Sequence, residues 1–230
     1  MKRSWNLFYT QFITYNGYKT VLNGLVATVE IAVLGLIIGI LIGTLIALVK
    51  VMPKYKIMPR ILNRVCDVYV GFFRGTPMVV QLLIIYFVIF GSVNISKVLV
   101  AVIAFGLNSA AYVAEIVRSG IMSVDNGQFE AGASLGFGYT KTMISIILPQ
   151  ALRNILPALG NEAIVLLKET SVSGYIALED LTKGGDIIRS NTYEAFLPLI
   201  AVAAVYLIMV IIMSSLVSRL ERKLSNDKRK

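Results

Sequence analysis

Long apolar runs separated by short polar segments dominate the chain. Two of them, over about 20–50 and 195–218, are almost free of charge, since Glu30 is the only charged residue well inside either run. A hydrocarbon core about 30 Å thick needs about 20 apolar residues in a helix. The pattern therefore predicts that each of these two runs crosses a membrane.

Two more segments have the length of a span but contain polar residues. Residues 97–118 are apolar apart from a few positions, among them Asn108 and Glu115. Residues 60–90 are apolar at both ends and broken by the sequence Phe-Arg-Gly-Thr-Pro at 73–77. Because proline removes a helical hydrogen bond, this segment is predicted to be one bent helix, or a helix that enters through a short irregular stretch.

The weakest predicted span is 141–168, which contains several polar side chains and two prolines, Pro149 and Pro157. The distribution of Lys and Arg supports it. With five spans, fourteen of the 22 basic residues fall on the side of the C-terminal tail, seven fall on the other side, and Arg74 lies within the membrane. Because cytoplasmic segments are enriched in Lys and Arg, the N-terminus is predicted to be outside and the C-terminus in the cytoplasm.

Composition and charge support an all-α membrane protein with one transmembrane domain over residues 1–230. Hydrophobic residues make up 57% of the chain and charged residues 15%, against about 45–50% and about 25% in soluble domains. The chain contains no histidine and one cysteine, Cys66, which excludes histidine catalysis, histidine metal sites and an intrachain disulfide. The net charge of +9 is explained by topology and anionic lipids, so no nucleic-acid partner is predicted.

A polar loop after the third span contains the strongest local signal. Asp125 is followed three positions later by Gln128, a pattern typical of a helix start, and Gly136 is typical of a helix end. A short helix is therefore predicted over about 125–136. On physical grounds alone, such a helix is equally suited to the lipid surface and to a protein partner.

The loop and its neighbours resemble a known family. Glu130-Ala131-Gly132, then Gly136, then Ile147-Leu148-Pro149 is similar to the "EAA" loop of importer permeases of the ATP-binding cassette (ABC) class, although Gly132 stands where that family usually has alanine. Motifs similar to the polar amino acid branch follow in order: Phe73-Arg74-Gly75-Thr76-Pro77 with Gln81, Ala111-Tyr112-Val113-Ala114-Glu115 with Arg118 and Gly120, Gly127-Gln128-Phe129-Glu130-Ala131, Leu148-Pro149-Gln150-Ala151, and Lys168-Glu169-Thr170-Ser171.

The resemblance implies a type I ABC importer fold with five spans in a bacterial cell membrane. It also implies several partners: two ATPase subunits, a second permease subunit of the same or a related kind, an extracytoplasmic substrate-binding protein and the lipid bilayer. The coupling residues would be Glu130, Ala131, Gly132 and Gly136. The chain has no Gly-x-x-x-x-Gly-Lys-Ser/Thr sequence, the usual phosphate-binding loop, so it is not predicted to be an enzyme or to hold a cofactor. ATP and Mg²⁺ would bind to the partner ATPase.

Polar residues inside predicted spans are candidates for substrate binding. Arg74, with Thr76, lies where a broken helix can direct a guanidinium group at a substrate carboxylate. The alternative role for Arg74 is a structural ion pair with Asp67 or Glu115.

Two further spans supply candidates. Asn108, Tyr112 and Glu115 recur at i, i+4 and i+7 and so share one helix face, for substrate contact or for helix packing. Glu162 could bind a substrate ammonium or guanidinium group, or form a structural ion pair. The substrate-binding residues predicted from the sequence are Arg74, Thr76, Asn108, Glu115 and Glu162.

Two other classes of function are open to a protein with intramembrane carboxylates. An ion-coupled secondary amino acid transporter would usually show more spans and a duplicated half. An intramembrane enzyme would need a nucleophile with a base, or a metal cluster. Neither pattern is visible in the sequence, and the importer permease is therefore favoured.

Overall fold

The computed structural model describes residues 2–52 and 57–226. Regular structure in these ranges is entirely helical. The helices are α1 (Lys2–Tyr9), α2 (Gly17–Val51), α3 (Ile57–Gly75), α4 (Met78–Leu83), α5 (Lys97–Met122), α6 (Gly127–Ser134), α7 (Tyr139–Thr142), α8 (Leu148–Glu169), α9 (Leu181–Thr192) and α10 (Phe196–Asn226). Three π-helical segments, Thr10–Thr14, Ile84–Ile89 and Met143–Ile147, and one 3₁₀ segment, Thr170–Ile176, extend them.

Four helical stretches are long and apolar enough to cross a membrane, namely Gly17–Val51, Lys97–Met122, Tyr139–Ile176 and Phe196–Leu224. A fifth arises if α3 and α4, which meet at a bend of 107° and continue to Ile89, count as one span. The fold is an all-α multi-pass membrane protein, as the sequence predicts. The basic residues Lys54, Lys56 and 228–230, used in the topology prediction, lie outside the described ranges.

Helix α5 is the centre of the bundle, with fifteen of its 26 residues buried. Its main neighbour is α2, whose glycines lie along the contact. A Cβ atom at Gly43 would lie 2.7 Å from the Ala110 carbonyl oxygen, and one at Gly39 would lie 2.8 Å from the Ser109 hydroxyl. Small residues let membrane helices approach this closely, so the glycine spacing of α2 fixes its position on α5.

Large apolar side chains on the outer surface of the bundle suit contact with lipid. Leu207, Ile208 and Ile211 of α10 are each more than half exposed. A soluble protein rarely shows so continuous an apolar face. α10 is therefore held to the bundle along one side, where it meets α8 and α9.

The bend between α3 and α4 is stabilised by side-chain hydrogen bonds. Its backbone groups cannot be satisfied within a helix, and in a membrane each must find a partner. The amide of the buried Gln81 donates to the Phe73 carbonyl at 2.8 Å and to the Thr76 carbonyl at 3.0 Å. The Thr76 hydroxyl donates to the Phe72 carbonyl at 2.8 Å.

Helix α9, between α8 and α10, is absent from the sequence-based predictions. It begins at Asp180, a fully buried residue whose carboxylate accepts hydrogen bonds from the backbone amides of Lys183 at 3.0 Å and Thr182 at 3.2 Å. Burial raises the pKa of Asp180, and these two amides act in the opposite direction. The cap anchors α9 against α2, because Leu181 also donates its amide to the Thr28 hydroxyl at 3.0 Å.

Candidate functional site

Helix α6 is a short helix with two well-defined ends. At its start, the Asp125 carboxylate accepts a hydrogen bond from the Gly127 amide at 2.6 Å. At its end, the Phe137 amide donates to the Gly132 carbonyl and the Gly136 amide donates to the Ala133 carbonyl, both at 2.9 Å. This pair of bonds defines a Schellman motif. Gly136 has φ +76°, the left-handed conformation that glycine adopts without strain.

One side of α6 packs closely on the chain that follows it. Gly132 is its one buried residue, and a Cβ at this position would lie 2.6 Å from the Thr142 hydroxyl and 2.7 Å from its methyl group. Phe129 stacks on Tyr139 with ring centroids 5.7 Å apart. The glycine at position 132 therefore lets α6 approach α7 more closely than alanine would.

The opposite side of α6 is free. Glu130 and Ala131 are exposed, and within the described ranges the Glu130 carboxylate makes no hydrogen bond or ion pair. A carboxylate held in this way on a rigid, exposed helix is available to a partner with basic side chains.

Two amide contacts tie the loop around α6 to α8. Gln150 donates to the Gln128 side-chain oxygen at 3.3 Å, and Asn154 donates to the Ser123 hydroxyl at 2.8 Å. Because α5 leads directly into this loop, α6 is connected to both α5 and α8.

Replacement of Gly132 by alanine tests the close contact with Thr142. We expect Gly132→Ala to destabilise the α6 region by about 1–3 kcal/mol, the usual cost of overpacking, and to lower the thermal stability of the purified protein. Thr142→Ala in the same chain removes the two nearest atoms and restores most of the loss. Gly138→Ala is the control, since its Cβ would meet nothing within 4 Å and its φ is −70°. Equal stability of all three variants would contradict the packing argument.

A cavity of about 440 Å³ whose lining includes several polar side chains lies between α3, α5 and α8. It is lined by Arg74, Tyr112, Glu115, Ile116, Ser119, Gly120, Ser123, Asn154 and Ala158. It reaches from the α3–α4 bend to the Ser123 and Asn154 pair beside α6. The cavity therefore adjoins the elements that the predicted coupling loop would move.

Arg74 is the basic residue in the lining of this cavity, and it forms no ion pair among the described residues. Its guanidinium group lies over the Tyr112 ring, 5.4 Å from the centroid. It pairs with neither Asp67 nor Glu115. These two carboxylates bind Lys50 instead, and Glu115 also binds Arg118 at 2.9 Å. Of the two roles open to Arg74, the structural ion pair is therefore not formed.

Thr76 and Asn108 lie at the α3–α4 bend, outside the lining of the cavity. The buried Asn108 donates to the Gln81 side-chain oxygen at 2.8 Å and to the Phe73 carbonyl at 3.3 Å. Thr76 accepts from the Gln81 amide at 2.7 Å. In this conformation the hydrogen bonds of Thr76 and Asn108 stabilise the bend that follows Arg74. Contact of these two residues with a substrate stays a prediction.

Glu162 is buried between α8 and α5, where its carboxylate accepts a hydrogen bond from the Ser109 hydroxyl at 2.8 Å. No basic side chain forms an ion pair with it within the described part of the chain. Ser109 follows Asn108 directly in sequence, so α5 connects the environment of Glu162 with the bend. The structural ion pair considered for Glu162 is not present.

Four polar residues of the cavity lining are not among the predicted substrate-binding residues, namely Tyr112, Ser119, Ser123 and Asn154. Tyr112 shares a predicted helix face with Asn108 and Glu115, and that spacing was the available signal. Ser119 lies four residues after Glu115 on the same helix, so the same periodicity extended by one turn identifies it.

These features together define a class of protein. The chain has several membrane-spanning helices, a broken helix beside a cavity that contains Arg74, and an exposed short helix on the loop between α5 and α8. This combination is typical of a transport permease. The chain belongs to the family of binding-protein-dependent transport system inner membrane components, whose family model matches residues 35–226.

Relatives and solved structures agree with this family. The chain is 40% identical to the arginine transport system permease protein ArtQ of Bacillus subtilis (strain 168), over 90% of this chain and 94% of ArtQ. It is 40% identical to the glutamine transport system permease protein GlnP of Escherichia coli (strain K12), over 71% of this chain and 76% of GlnP. The predicted resemblance to permeases of amino acid ABC importers is confirmed.

The fold is confirmed independently. A crystal structure of an amino acid ABC transporter with histidines has a chain that superimposes with a TM-score of 0.84 at 42% identity, covering 94% of this chain and 98% of that one. An inward-facing structure of the MetNI methionine ABC transporter gives a TM-score of 0.73 at 19% identity, covering 90% and 97%. The second likeness shows that the fold persists when most of the sequence has changed.

Proposed function

We propose that this permease forms the membrane pathway of an ATP-driven importer for polar amino acids and that α6 is its coupling helix. The main support is the structural link between α6 and the cavity. Glu130 and Ala131 are exposed, Gly132 is packed on Thr142, and the same loop is bonded to α8 beside the cavity. A partner that binds α6 and moves it would therefore also move α5 and α8, which line the cavity.

The proposed orientation places α6 and the C-terminus in the cytoplasm and the N-terminus outside a bacterial cell membrane. The support is the excess of Lys and Arg on the side of α6 and the C-terminal tail, which marks the cytoplasmic side. This orientation is required for coupling, because ATP is in the cytoplasm.

The proposed assembly contains two ATPase subunits, a second permease subunit of the same or a related kind, and an extracytoplasmic binding protein. The chain has no phosphate-binding loop of the Gly-x-x-x-x-Gly-Lys-Ser/Thr type, so the proposed sites for ATP and Mg²⁺ lie on the ATPase subunits. ATP drives transport only to the extent that it binds more tightly to one conformation of the assembly than to another.

The proposed substrate is a cationic or zwitterionic amino acid. Arg74 offers a guanidinium group for the substrate carboxylate, and the Glu162 carboxylate suits an ammonium or guanidinium group. The names of relatives support this class, since one is an arginine permease and another a glutamine permease. Glu115 lines the cavity but is already neutralised by Lys50 and Arg118, so its proposed role is to shape the cavity.

Uptake into proteoliposomes tests the proposed function against ion-coupled transport. The permease is reconstituted with its ATPase and binding protein, and uptake of radiolabelled arginine, histidine, glutamine, glutamate and cystine is measured. We expect uptake of at least one of them to require internal ATP and to persist when proton and sodium gradients are collapsed. Uptake that follows an ion gradient without ATP would refute the importer assignment.

A further inference from the structure

A cluster of four charged side chains joins three helices next to the cavity. The Lys50 ammonium group, at the end of α2, lies 3.2 Å from the Asp67 carboxylate of α3 and also pairs with Glu115 of α5. Arg118 of α5 binds the other oxygen of Glu115 through two nitrogens, at 2.9 and 3.0 Å. We call these residues the four-charge cluster, and it contains two positive and two negative charges.

The centre of the four-charge cluster is shielded from solvent. The Lys50 side chain is 11% exposed and the Glu115 side chain 18%, whereas Asp67 is 48% exposed. A charge removed from water is costly unless it is paired. Lys50 and Glu115 therefore stabilise each other. Asp67 is more exposed, and its contact with Lys50 connects α3 to this pair.

Helix α3 has few other attachments to the bundle. Val70 is its one buried residue, while Val65 and Val68 are more than 60% exposed. Its other polar contacts with α5 among the described residues are the Tyr69 hydroxyl, which donates to the Leu107 carbonyl at 2.6 Å, and the Phe73 carbonyl, which accepts from Asn108 at 3.3 Å. The Arg74 guanidinium group also lies over the Tyr112 ring of α5. Among these contacts, the Asp67–Lys50 pair is the ionic one, and it lies nearer the start of α3 than Tyr69, Phe73 and Arg74 do.

The position of α3 determines where Arg74 lies. Asp67 and Arg74 are seven residues apart in one helix, which is two turns or about 10 Å along the same face. At the far end of the four-charge cluster, α5 continues from Arg118 through Met122 into the loop that holds α6. The four-charge cluster thus lies between α6 and Arg74, which lines the cavity.

We propose that Asp67 is a positioning residue for transport: through Lys50 and Glu115 it ties α3, and with it Arg74, to the end of α5 that leads to α6. A displacement of α6 then moves Arg74 relative to the cavity instead of moving α5 alone. This inference rests on the proposed function of α6 and Arg74. It adds the physical link between them, which runs through three helices and four charges.

The experiment compares Asp67→Asn and Asp67→Glu in the reconstituted importer, by measuring substrate taken up per ATP hydrolysed. We expect Asp67→Asn to hydrolyse ATP at a rate near that of the wild type and to lower the ratio about fivefold, the lower end of the usual range for coupling between sites. Asp67→Glu keeps the charge and retains most of the ratio. Asp186→Asn is the matched control, because Asp186 also forms ion pairs, with Lys183 and Arg189, but does so within α9.

A second measurement does not depend on transport. Cys66 is the only cysteine of the chain and precedes Asp67, so a nitroxide attached to it before assembly reports the mobility of α3. Asp67→Asn should give a more mobile spectrum than the wild type, whereas Asp186→Asn should not. Unchanged uptake per ATP in Asp67→Asn, or equal mobility in all three proteins, would overturn this inference. Failure of the wild type to couple uptake to ATP would instead refute the proposed function.

Discussion

Glu130→Arg should abolish coupled uptake while leaving the permease folded in the membrane. The Glu130 side chain is exposed and has no partner among the described residues, so its replacement breaks no contact within the chain. The main internal cost is a basic side chain in the first turn of α6, which is about 0.3–1 kcal/mol. The loss should therefore occur at the interface with the ATPase.

The size of that loss follows from the charge reversal. Removing one member of a charge pair at a protein interface costs about 2–5 kcal/mol, and a reversal adds repulsion. At about 1.4 kcal/mol for each factor of ten, docking of the ATPase should weaken by roughly thirtyfold or more. Co-purification of the ATPase with a tagged permease measures docking, and uptake in proteoliposomes measures coupling.

The control is Glu179→Arg, which reverses the charge of another exposed glutamate, in the segment between α8 and α9. It should leave docking unchanged. If Glu130→Arg still retains the ATPase and transports at the wild-type rate, α6 is not the coupling helix.

The spans of this protein were predictable to different degrees for a physical reason. α2 and α10 face lipid along much of their length and are apolar almost throughout, so hydropathy identifies them. The helical stretch Tyr139–Ile176 contains several polar side chains, among them the exposed Gln150, Asn154 and Asn161, which lower its hydropathy below that of α2. The distribution of Lys and Arg was needed to predict this span, because the number of spans decides on which side of the membrane each basic segment lies.

Local signals predicted local structure well. The sequence predicts a helix over about 125–136, and α6 covers Gly127–Ser134 with its end at the left-handed Gly136. The break at 73–77 is present between α3 and α4. Asp180 before Leu181 is a typical helix start, but α9 has only twelve residues and lies outside the long apolar runs, so hydropathy does not identify it.

Side-chain partners could not be predicted from spacing. Asn108, Tyr112 and Glu115 share a face of α5, as expected, yet they meet Gln81, Arg74 and Lys50 respectively. Periodicity shows which residues share a face but not what lies opposite. Lys50 illustrates this best: the sequence places it only at the end of an apolar run, whereas in the structure its side chain is 11% exposed and pairs with α3 and α5.

Glu162→Gln should impair transport of a cationic or zwitterionic substrate without disturbing the fold. Glutamine has nearly the same shape as glutamate, and its side-chain oxygen still accepts the hydrogen bond from the Ser109 hydroxyl. The negative charge is lost. A hydrogen bond to a charged group contributes about 1.5–3 kcal/mol, so uptake at saturating binding protein should fall roughly tenfold to a hundredfold.

Glu30→Gln is the matched control because Glu30 is also a glutamate in a membrane-spanning helix, but it lies on the exposed side of α2. Both variants remove one negative charge from the membrane region, so a general electrostatic effect would appear in both. An effect confined to Glu162→Gln therefore excludes a general electrostatic effect. If arginine uptake is unchanged in Glu162→Gln, the carboxylate serves only to join α8 to α5 through Ser109, and the positive group of the substrate must be bound elsewhere.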